Sequence, residues 1–568
     1  MLQIAITLGL FILIIIPVGK YVYHVADQKK TFADPVFDKV DGLILKMMHV
    51  NTASMNWKKY ALTFLLTNAI MIAIGYIVLR IQNVLFFNPN DIAGMESSLS
   101  FNTIISFMTN TNLQHYAGES GLSYLSQMVV IIMQMFTSAA SGYCVCMAMI
   151  RGICGKEMGN FYVDMTRCIT RILVPFSFLI GLALVSQGVM QNLNPNLTIE
   201  TIEGNMQDIA QGPIAALESI KHLGTNGGGF AGANSSTPLE NPNIITNIIE
   251  MFSMMLIPGA CIITFGHMVH EKWNLGIQNV KKIFFGSQGR TLFIAAAIIF
   301  LIGLSICYAA EMSGNPVFER IGLAASANME GKEMRFGIAQ STLFTTVTTS
   351  FTTGTVNNMH DSLTPLGGLI PMLNMMLNVV FGGAGVGLMN ILIYALLAVF
   401  ICGLMIGRTP EFLGKKIEGR EMKLVALSII IHPLLILGFS ALSVVLSDGL
   451  AGITNPGYHG LSQILYEFSS SSANNGSGFE GLADNTVFWN LTTGLAMFFG
   501  RYLIIIPQLA IAGSLLKKKE VSASVGTLQT NTMTFSVSLV MVILIIAALT
   551  FLPALALGPI AEHLTLWY

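Results

Sequence analysis

The sequence predicts an all-α polytopic membrane protein with ten transmembrane helices. Its 568 residues are 53% hydrophobic and only 10% charged, whereas an ordinary soluble domain carries roughly 25% charged residues. The mean hydropathy of +0.66 is typical of a chain whose surroundings are largely lipid. The formal net charge of −1 indicates no basic surface for nucleic acid. Composition therefore excludes a soluble multidomain enzyme and a nucleic-acid-binding protein.

Ten segments are apolar over about the 20 residues that a membrane crossing needs. They lie at 2–18, 60–79, 121–150, 172–190, 244–269, 291–310, 369–406, 424–446, 487–516 and 532–557. Their long apolar runs do not alternate with a period of two residues, which excludes a membrane-spanning barrel. The first segment has neither a basic leader nor a small-residue cleavage site, and we expect it to remain as a helix.

The basic residues divide unequally between the two sides of the predicted bundle. One set of loops, around 19–59, 151–171, 272–290, 408–423 and 517–519, holds most of the 29 Lys and Arg residues. The other set holds only Lys221, Arg320, Lys332 and Arg335. Because loops rich in Lys and Arg stay in the cytoplasm, the first set is predicted to be cytoplasmic. Both termini then lie on the outer side of the membrane.

Four of the outward loops share one order: a short Ser/Thr-rich amphipathic stretch, a turn rich in Gly, Asn and Thr, and the next span. The stretches are 98–108, 213–224, 336–350 and 460–472, and the turns are 109–114, 225–229, 352–357 and 474–478. Equivalent positions recur roughly every 120 residues, which indicates internal repeats. We therefore predict four parallel helix–pore loop–helix repeats around a central ion pathway, with one extra helix at each end. The units are 1–59, 60–150, 168–272, 290–408, 423–516 and 517–568, the first and last holding the extra helices.

The composition of the four turns is typical of a cation pathway. Backbone carbonyls that face one axis can replace the hydration shell of a cation, and glycine permits the backbone angles that this requires. We expect the Thr and Asn side chains of the turns to add oxygen ligands for the cation. Unpaired acidic residues of the outward loops would concentrate cations at the mouth; they are Asp91, Glu96, Glu119, Glu203, Asp208, Glu467 and Asp484. The alternative is that the four turns are ordinary solvated connectors. This is disfavoured because all four occupy the same position in the repeat.

Two features of the spans have more than one interpretation. The glycine-rich segment 381–387 lies midway in the long span 369–406. It either permits close helix packing or breaks the span into two half-helices, with a loop below the turns that acts as a gate; its glycines are Gly382, Gly383, Gly385 and Gly387. Arg501 is a single charge in an apolar span, which is costly. It either forms an internal ion pair or faces the pathway and repels cations leaving toward the cytoplasm.

Several long strings of residues resemble one family. They are Thr-Asn-Gly-Gly-Gly-Phe at 225–230, Ala-Asn-Ser at 233–235, Glu-Asn-Pro at 240–242, Val-Asn-Asn-Met-His-Asp-Ser-Leu-Thr-Pro-Leu-Gly-Gly at 356–368, Ser-Ser-Ala-Asn-Asn-Gly-Ser at 471–477 and Ser-Tyr-Leu-Ser-Gln at 123–127. The chain resembles, over its whole length, the A subunit of the Kdp-type potassium-transporting ATPase, within the superfamily of potassium transporters.

The resemblance implies a site, a location and a set of partners. The implied K⁺ filter comprises Asn110, Thr111, Asn112 and Gln114 in the first repeat, Thr225, Asn226 and Gly227 in the second, Thr353 and Gly354 in the third, and Asn474, Asn475 and Gly476 in the fourth. The resemblance also implies a multi-pass protein of the bacterial inner membrane that takes up extracellular K⁺. The ion then passes sideways through a tunnel to a P-type ATPase subunit, in a complex with small accessory membrane subunits.

The sequence contains no motif for ATP hydrolysis. It has no Asp-Lys-Thr-Gly phosphorylation motif and no G-x-x-x-x-G-K-[ST] loop. We therefore expect a non-catalytic, ion-binding subunit whose partner hydrolyses ATP. A stand-alone potassium channel or cation symporter of the same superfamily is the alternative, because the repeats alone do not separate the two.

Overall fold

The computed structural model describes residues 2–32, 34–273, 286–323, 327–407, 409–521 and 527–567. Within these ranges ten helices are long and apolar enough to span a membrane, which confirms the predicted fold class. They are Leu2–Ala26, Trp57–Val84, Tyr124–Ile153, Phe161–Ser186, Ile244–His270, Gln288–Arg320, Val386–Met405, Gly419–Val445, Val487–Leu516 and Met533–Leu566. Lys281, Lys282 and Arg408 of the predicted cytoplasmic loops, and the C-terminal Tyr568, lie outside the described residues.

The four predicted amphipathic stretches are all short helices, which we call half-helices 1 to 4. They are Ser97–Met108, Ile214–Leu223, Gly337–Ser350 and Tyr458–Ala473. Shorter elements include helix Asp34–Met47, helix Pro365–Leu377, the antiparallel strands Leu197–Glu200 and Met206–Ile209, and the antiparallel strands Glu411–Phe412 and Lys415–Lys416. Each half-helix thus lies between two spans, as the repeat pattern predicts.

The two spans of each repeat occupy different layers of the bundle. In every repeat the span after the half-helix is more buried than the span before it. The contrast is largest in the first two repeats, where 78% of the apolar stretch within Tyr124–Ile153 and 83% of that within Ile244–His270 is buried, against 22% within Trp57–Val84 and 33% within Phe161–Ser186. Apolar residues exposed on the outer spans suit contact with lipid chains. The later spans therefore form an inner ring around the half-helices.

The long apolar segment 369–406 does not form one continuous helix. Helix Pro365–Leu377 ends at Asn378, which adopts a left-handed conformation with φ of 48°, and helix Val386–Met405 begins after a non-helical stretch. The break therefore covers 378–385, so it begins before the predicted glycine-rich segment and leaves Gly387 inside the second helix. Only the second piece is long enough to cross the membrane.

The fourth span begins at Phe161, earlier than the sequence predicts. The Asn160 side chain accepts hydrogen bonds from the backbone at the helix start, and Asp164 is neutralised by Arg151, with both carboxylate oxygens 2.8 Å from the guanidinium. A paired carboxylate can enter an apolar helix at much lower cost than an unpaired one. The hydropathy of the isolated segment could not reveal that pairing.

The last helix of the chain is attached to the fourth repeat by a histidine. His459, in the first turn of half-helix 4, places Nδ1 2.9 Å from Glu562 and Nε2 2.9 Å from Asp361. Burial lowers the pKa of His459, but hydrogen bonds to the two carboxylates outweigh it and raise the pKa to about 10. The ring is therefore an imidazolium at neutral pH, and it joins the third repeat, the fourth repeat and the C-terminal helix.

We expect the contribution of His459 to stability to depend on pH. Because its folded pKa is raised, the stabilisation is fully present below pH 6.5, decreases as the pH rises further, and is lost near pH 10. In thermal unfolding, the protein should be more stable than a His459→Gln variant below pH 6.5, and the difference should shrink toward pH 10. His49→Gln, an exposed histidine, serves as the control. A difference that stays constant across this window would contradict the ion-pair role.

Candidate ion-binding site

Each half-helix ends in the same local structure. The residue after each helix, or one residue later, adopts a left-handed conformation: Asn110, Thr225, Thr352 and Asn474 have φ of 63°, 51°, 50° and 56°. The next backbone N–H then donates to a carbonyl of its own half-helix, in the pairs Thr111–Ser106 (2.9 Å), Asn226–Lys221 (2.8 Å), Thr353–Thr348 (2.8 Å) and Asn475–Ser470 (3.0 Å). This shared hydrogen bond reproduces the register of the four repeats.

The backbones of the four turns meet at one place. A Cβ atom at Gly227 would lie 2.7 Å from the carbonyl oxygen of Thr111 and 2.9 Å from that of Asn475. A Cβ atom at Gly354 would overlap the Asn475 carbonyl, and one at Gly476 would overlap the Thr111 carbonyl. The turns of repeats 2, 3 and 4 therefore contact carbonyls of repeats 1 and 4 where no side chain fits. We call this arrangement the four-turn ring.

Asparagine side chains connect the turns to one another. Asn110 Nδ2 donates to the Thr225 carbonyl at 2.8 Å, Asn474 Nδ2 to Thr111 Oγ1 at 2.9 Å, and Asn475 Nδ2 to the Thr348 carbonyl at 3.0 Å. These amides position the backbone of the ring. Asn110 Oδ1 also accepts from Ser138 Oγ at 2.9 Å, and Asn475 Oδ1 accepts from the Ser477 N–H at 3.0 Å. That Asn side chains add oxygens to the ion pathway stays a prediction.

Two other side chains keep polar atoms free beside the ring. Asn112 is fully buried, and neither its Oδ1 nor its Nδ2 has a hydrogen-bond partner within the described ranges; the same holds for Thr353 Oγ1. Buried polar atoms without partners are unfavourable unless something else binds them. Gln114 differs, since its Oε1 accepts from the Gly229 N–H at 2.8 Å and its Nε2 donates to the Gly229 carbonyl at 3.0 Å. It joins turns 1 and 2.

The non-helical stretch 378–385 lies against the inner end of the ring. Ala384 N–H donates to Thr225 Oγ1 at 2.8 Å, and Gly382 N–H donates to the Ser350 carbonyl at 2.9 Å. Because the half-helices run inward, their last residues are the deepest part of each loop. Gly382 and Gly385 have φ of 69° and 89°, a region that favours glycine. The stretch, which we call the inner loop, therefore lies directly against the inner ends of turns 2 and 3.

An aromatic cluster holds the inner loop in place. Phe381 stacks on Phe351, which precedes turn 3, with ring centroids 4.5 Å apart. Phe293, Phe300 and Phe11 surround the same ring at centroid distances of 5.4, 6.2 and 6.4 Å. Close packing by the glycines contributes as well, because a Cβ at Gly383 would lie 3.2 Å from Thr225 Oγ1 and one at Gly387 would overlap Gly382.

Arg501 lies next to the inner loop and is buried. Its Nη2 donates to the Ser138 carbonyl at 3.3 Å, and Ser138 Oγ in turn donates to Asn110 Oδ1 at 2.9 Å. A Cβ at Gly142 would lie 2.8 Å from both Arg501 Nη2 and the Ala384 carbonyl oxygen. Among the described residues no carboxylate pairs with Arg501, so the internal ion pair is not observed. Its charge is positioned beside the inner loop.

A small cavity of about 30 Å³ opens to one side of the inner loop. Asn378, Asn390, His432 and Gln508 line it together with apolar residues of the surrounding spans. Asn378 receives a hydrogen bond from Thr352 Oγ1 at 3.4 Å and donates to the Ala473 carbonyl at 3.4 Å, which places it between turns 3 and 4. The cavity therefore begins at the base of the ring. These polar residues were not predicted as site residues, although polar side chains in apolar segments often indicate a functional site.

The acidic residues of the outer loops are not all free. Glu467 and Asp484 lie beside the buried His115, in contrast to the expectation of unpaired charges at the mouth. Glu96 caps half-helix 1: hydrogen bonds from Ser97, Ser98 and the Leu99 N–H lower the pKa of its carboxyl to about 2. Part of the predicted acidic surface thus has a structural role. Asp91, Glu203 and Asp208 remain exposed.

The fold resembles one solved transporter. The crystal structure of the potassium transporter TrkH from Vibrio parahaemolyticus matches with a TM-score of 0.51 and 13% sequence identity, covering 78% of this chain and 83% of that chain. Ten spans within the described ranges, with four half-helices between them, define an all-α multi-pass membrane protein.

Sequence comparison then identifies the family. A family model described as "Potassium-transporting ATPase A subunit" matches residues 5–564. A "Potassium-transporting ATPase potassium-binding subunit" from Clostridium acetobutylicum is 56% identical over 568 residues, covering 100% of both chains. Proteins with the same name from Staphylococcus haemolyticus and Geobacillus kaustophilus are 53% and 52% identical, covering 100% and 98% of each chain. The chain belongs to the potassium-transporting ATPase A subunit family.

Proposed function

We propose that this chain is the potassium-binding and translocating subunit of an ATP-driven potassium uptake pump. It binds extracellular K⁺ in the four-turn ring and delivers the ion through the membrane to a P-type ATPase subunit. The subunit itself is non-catalytic, and K⁺ is its bound and transported ion. The names of the relatives support the bound ion and the ATPase partner. Accessory small membrane subunits are part of the proposed complex.

The observation that carries the proposal is the contact of glycine backbones with carbonyls at the ring. Gly227, Gly354 and Gly476 bring turns 2, 3 and 4 against the carbonyls of Thr111 and Asn475. Rings of backbone carbonyls replace the hydration shell of K⁺ in ion-selective filters. The free polar atoms of Asn112 and Thr353 add further groups that a dehydrated cation could use. The side chains of Asn110, Asn474 and Gln114 act by holding this geometry.

The direction of delivery follows from what lies below the ring. The inner loop contacts Thr225 and Ser350, so a straight exit is blocked. The small cavity beside Asn378 lies to one side of the inner loop, among spans of repeats 3 and 4 and the last helix. Arg501 adds a positive charge on the blocked side. These groups support a sideways transfer of the ion to a membrane partner.

Purification in mild detergent tests this function against its alternative. A pump subunit should co-purify with an ATP-hydrolysing partner, and the complex should show K⁺-stimulated ATPase activity. In liposomes the isolated chain should carry no sustained K⁺ flux. Sustained K⁺ conduction by the chain alone, without a partner, would instead identify a stand-alone channel or symporter.

We also propose that the protein lies in the bacterial inner membrane with both termini outside. The seven native cysteines are buried or half-buried, so single introduced cysteines can be labelled selectively. On intact cells or spheroplasts, a membrane-impermeant thiol reagent should label Glu203→Cys, in the outer strand hairpin, but not Lys517→Cys. Permeabilised cells provide the control, since both positions should then react. The reverse pattern on intact cells would contradict the orientation.

A further inference from the structure

A second cluster of ligand-type side chains lies apart from the four-turn ring. His115 follows turn 1, Glu467 lies on half-helix 4, and Asp484 lies in the outer loop of the fourth repeat. One ligand atom from each of these three residues lies within 4.8 Å of the other two. His115 and Glu467 are buried, while the Asp484 side chain is 26% exposed. The cluster therefore has an accessible side toward the outer solvent.

The histidine is oriented as metal-binding histidines usually are. Its Nδ1 lies 2.7 Å from Asn490 Oδ1, an acceptor only, so Nδ1 carries the hydrogen and Nε2 faces the carboxylates. Metal-ligating histidines usually donate their second ring N–H to such an acceptor, which fixes the tautomer. Nε2 lies 3.4 Å from Glu467 Oε1 and 3.7 Å from Asp484 Oδ2. Tetrahedral ligands with bonds of about 2.1 Å are separated by roughly 3.4 Å.

An independent observation points to a missing ligand. Glu467 is 1% exposed, and its second oxygen, Oε2, is buried with no hydrogen-bond partner within the described residues. A buried carboxylate oxygen without a partner is costly, because nothing replaces the water that it loses on folding. A cation at the centre of the cluster would bind this carboxylate.

Two other histidine clusters in the protein lack these properties. At His459 the two carboxylates lie on opposite ring nitrogens, each at 2.9 Å, so one ion cannot contact all three groups. In the cluster of Glu218, His222 and Glu250, the Lys221 ammonium already lies 2.7 Å from Glu218 and all side chains are fully buried. Only the His115 cluster combines a shared nitrogen face, no nearby ammonium among the described residues, and an accessible carboxylate.

We propose that His115, Glu467 and Asp484 form an outer-side binding site for a divalent transition-metal cation of the Zn²⁺ type. One nitrogen and two carboxylates are a common protein ligand set for Zn²⁺, and water from the Asp484 side completes the coordination. The bound cation joins the segment that follows turn 1 to half-helix 4, which carries turn 4. This site is separate from the four-turn ring, and its imidazole ligand favours Zn²⁺ over K⁺.

Metal binding to the purified, assembled complex tests the site directly. After removal of metal with a chelator, the complex should take up one more Zn²⁺ per copy of this chain than a His115→Gln variant, and Co²⁺ should give the visible absorption of a tetrahedral site. Asp484→Asn should weaken Zn²⁺ binding at least about tenfold. Asp208→Asn, an exposed carboxylate of the same side, should bind Zn²⁺ as the unaltered complex does.

The positioning role of Asn490 supplies a second test. Asn490→Ala removes the acceptor for the ring N–H and should weaken Zn²⁺ binding by about 10- to 100-fold. Asn490→Asp keeps an acceptor and should restore binding. Equal Zn²⁺ uptake by the unaltered complex and His115→Gln, or the absence of the tetrahedral Co²⁺ spectrum from the unaltered complex, would overturn the proposal. Both readouts are independent of K⁺ transport, so a failure here leaves the proposed pump function untouched.

Discussion

Replacing Gly354 or Gly476 with alanine is expected to weaken the apparent K⁺ affinity of the assembled complex by at least about a hundredfold, which corresponds to about 2.8 kcal/mol. Both glycines adopt left-handed conformations, with φ of 92° and 108°. A Cβ at either position would overlap a carbonyl oxygen of the ring, that of Asn475 or that of Thr111. The carbonyl must therefore move, and the ion loses a ligand or gains a poorly fitted one.

The three ring glycines should not be equally sensitive. Gly227 does not adopt a left-handed conformation, and its Cβ would lie 2.7 Å from the nearest carbonyl oxygen without full overlap. Gly227→Ala should therefore reduce K⁺ affinity less than Gly476→Ala. All three variants should also accept Rb⁺ or NH₄⁺ more readily, since a distorted ring selects less sharply by size and ligand number.

Potassium-stimulated ATPase activity, measured over a range of K⁺, Rb⁺ and NH₄⁺ concentrations, checks this expectation. Gly181→Ala is the matched control, because a Cβ there would lie 3.6 Å from Ser219 Oγ, an ordinary contact distance. Gly438→Ala is a second control, with no atom within 4 Å of the new Cβ. Unchanged affinity and ion preference in Gly354→Ala and Gly476→Ala would remove the four-turn ring from the account.

Deleting the glycine-rich segment 381–387, which includes most of the inner loop, is expected to convert controlled uptake into a leak. Without residues 381–387, the contacts of Gly382 with Ser350 and of Ala384 with Thr225 are lost, and the path below the ring is open. Proteoliposomes containing the assembled complex should then conduct K⁺ without ATP. Arg501→Gln alone should raise this leak less, because a single charge near the ion path contributes only about 2 kcal/mol at an effective dielectric constant of about 20.

The flux assay needs controls for general damage to the bundle. Lys517→Gln changes an exposed charge at the C-terminal end of the span that carries Arg501, and it should leave the proteoliposomes tight. A deletion complex that still binds its ATPase partner but transports only with ATP would show that the glycine-rich segment serves helix packing. In that case Arg501 would also lose its proposed role.

Much of this fold could be predicted because the dominant forces act locally in the sequence. The ten spans follow from apolar length, and the half-helices follow from short amphipathic stretches before turns rich in glycine. The alignment of the four repeats also follows from the sequence. Asn110, Thr225, Thr352 and Asn474 share one backbone conformation, and the same hydrogen bond follows each of them. A repeat with a fixed backbone requirement leaves a strong signal in sequence.

The remaining features depend on contacts between distant segments. The pairing of Asp164 with Arg151 lets the fourth span begin earlier than hydropathy predicts. Asn378 links turns 3 and 4 through contacts that exist only in the folded chain. The amide nitrogens of Asn110 and Asn474 bind neighbouring turns, and this role is visible only in the folded chain. Side-chain direction and partner choice are tertiary properties that neither hydropathy nor spacing encodes.

The most direct test of the four-turn ring is an anomalous-scattering or density map of the assembled complex with Tl⁺ or Rb⁺ in place of K⁺. The account predicts ion density on the axis of the ring, within coordination distance of the carbonyls of Thr111 and Asn475. The same density should be absent from a Gly476→Ala complex. Strong ion density elsewhere in the chain, with none between the four turns, would contradict the account.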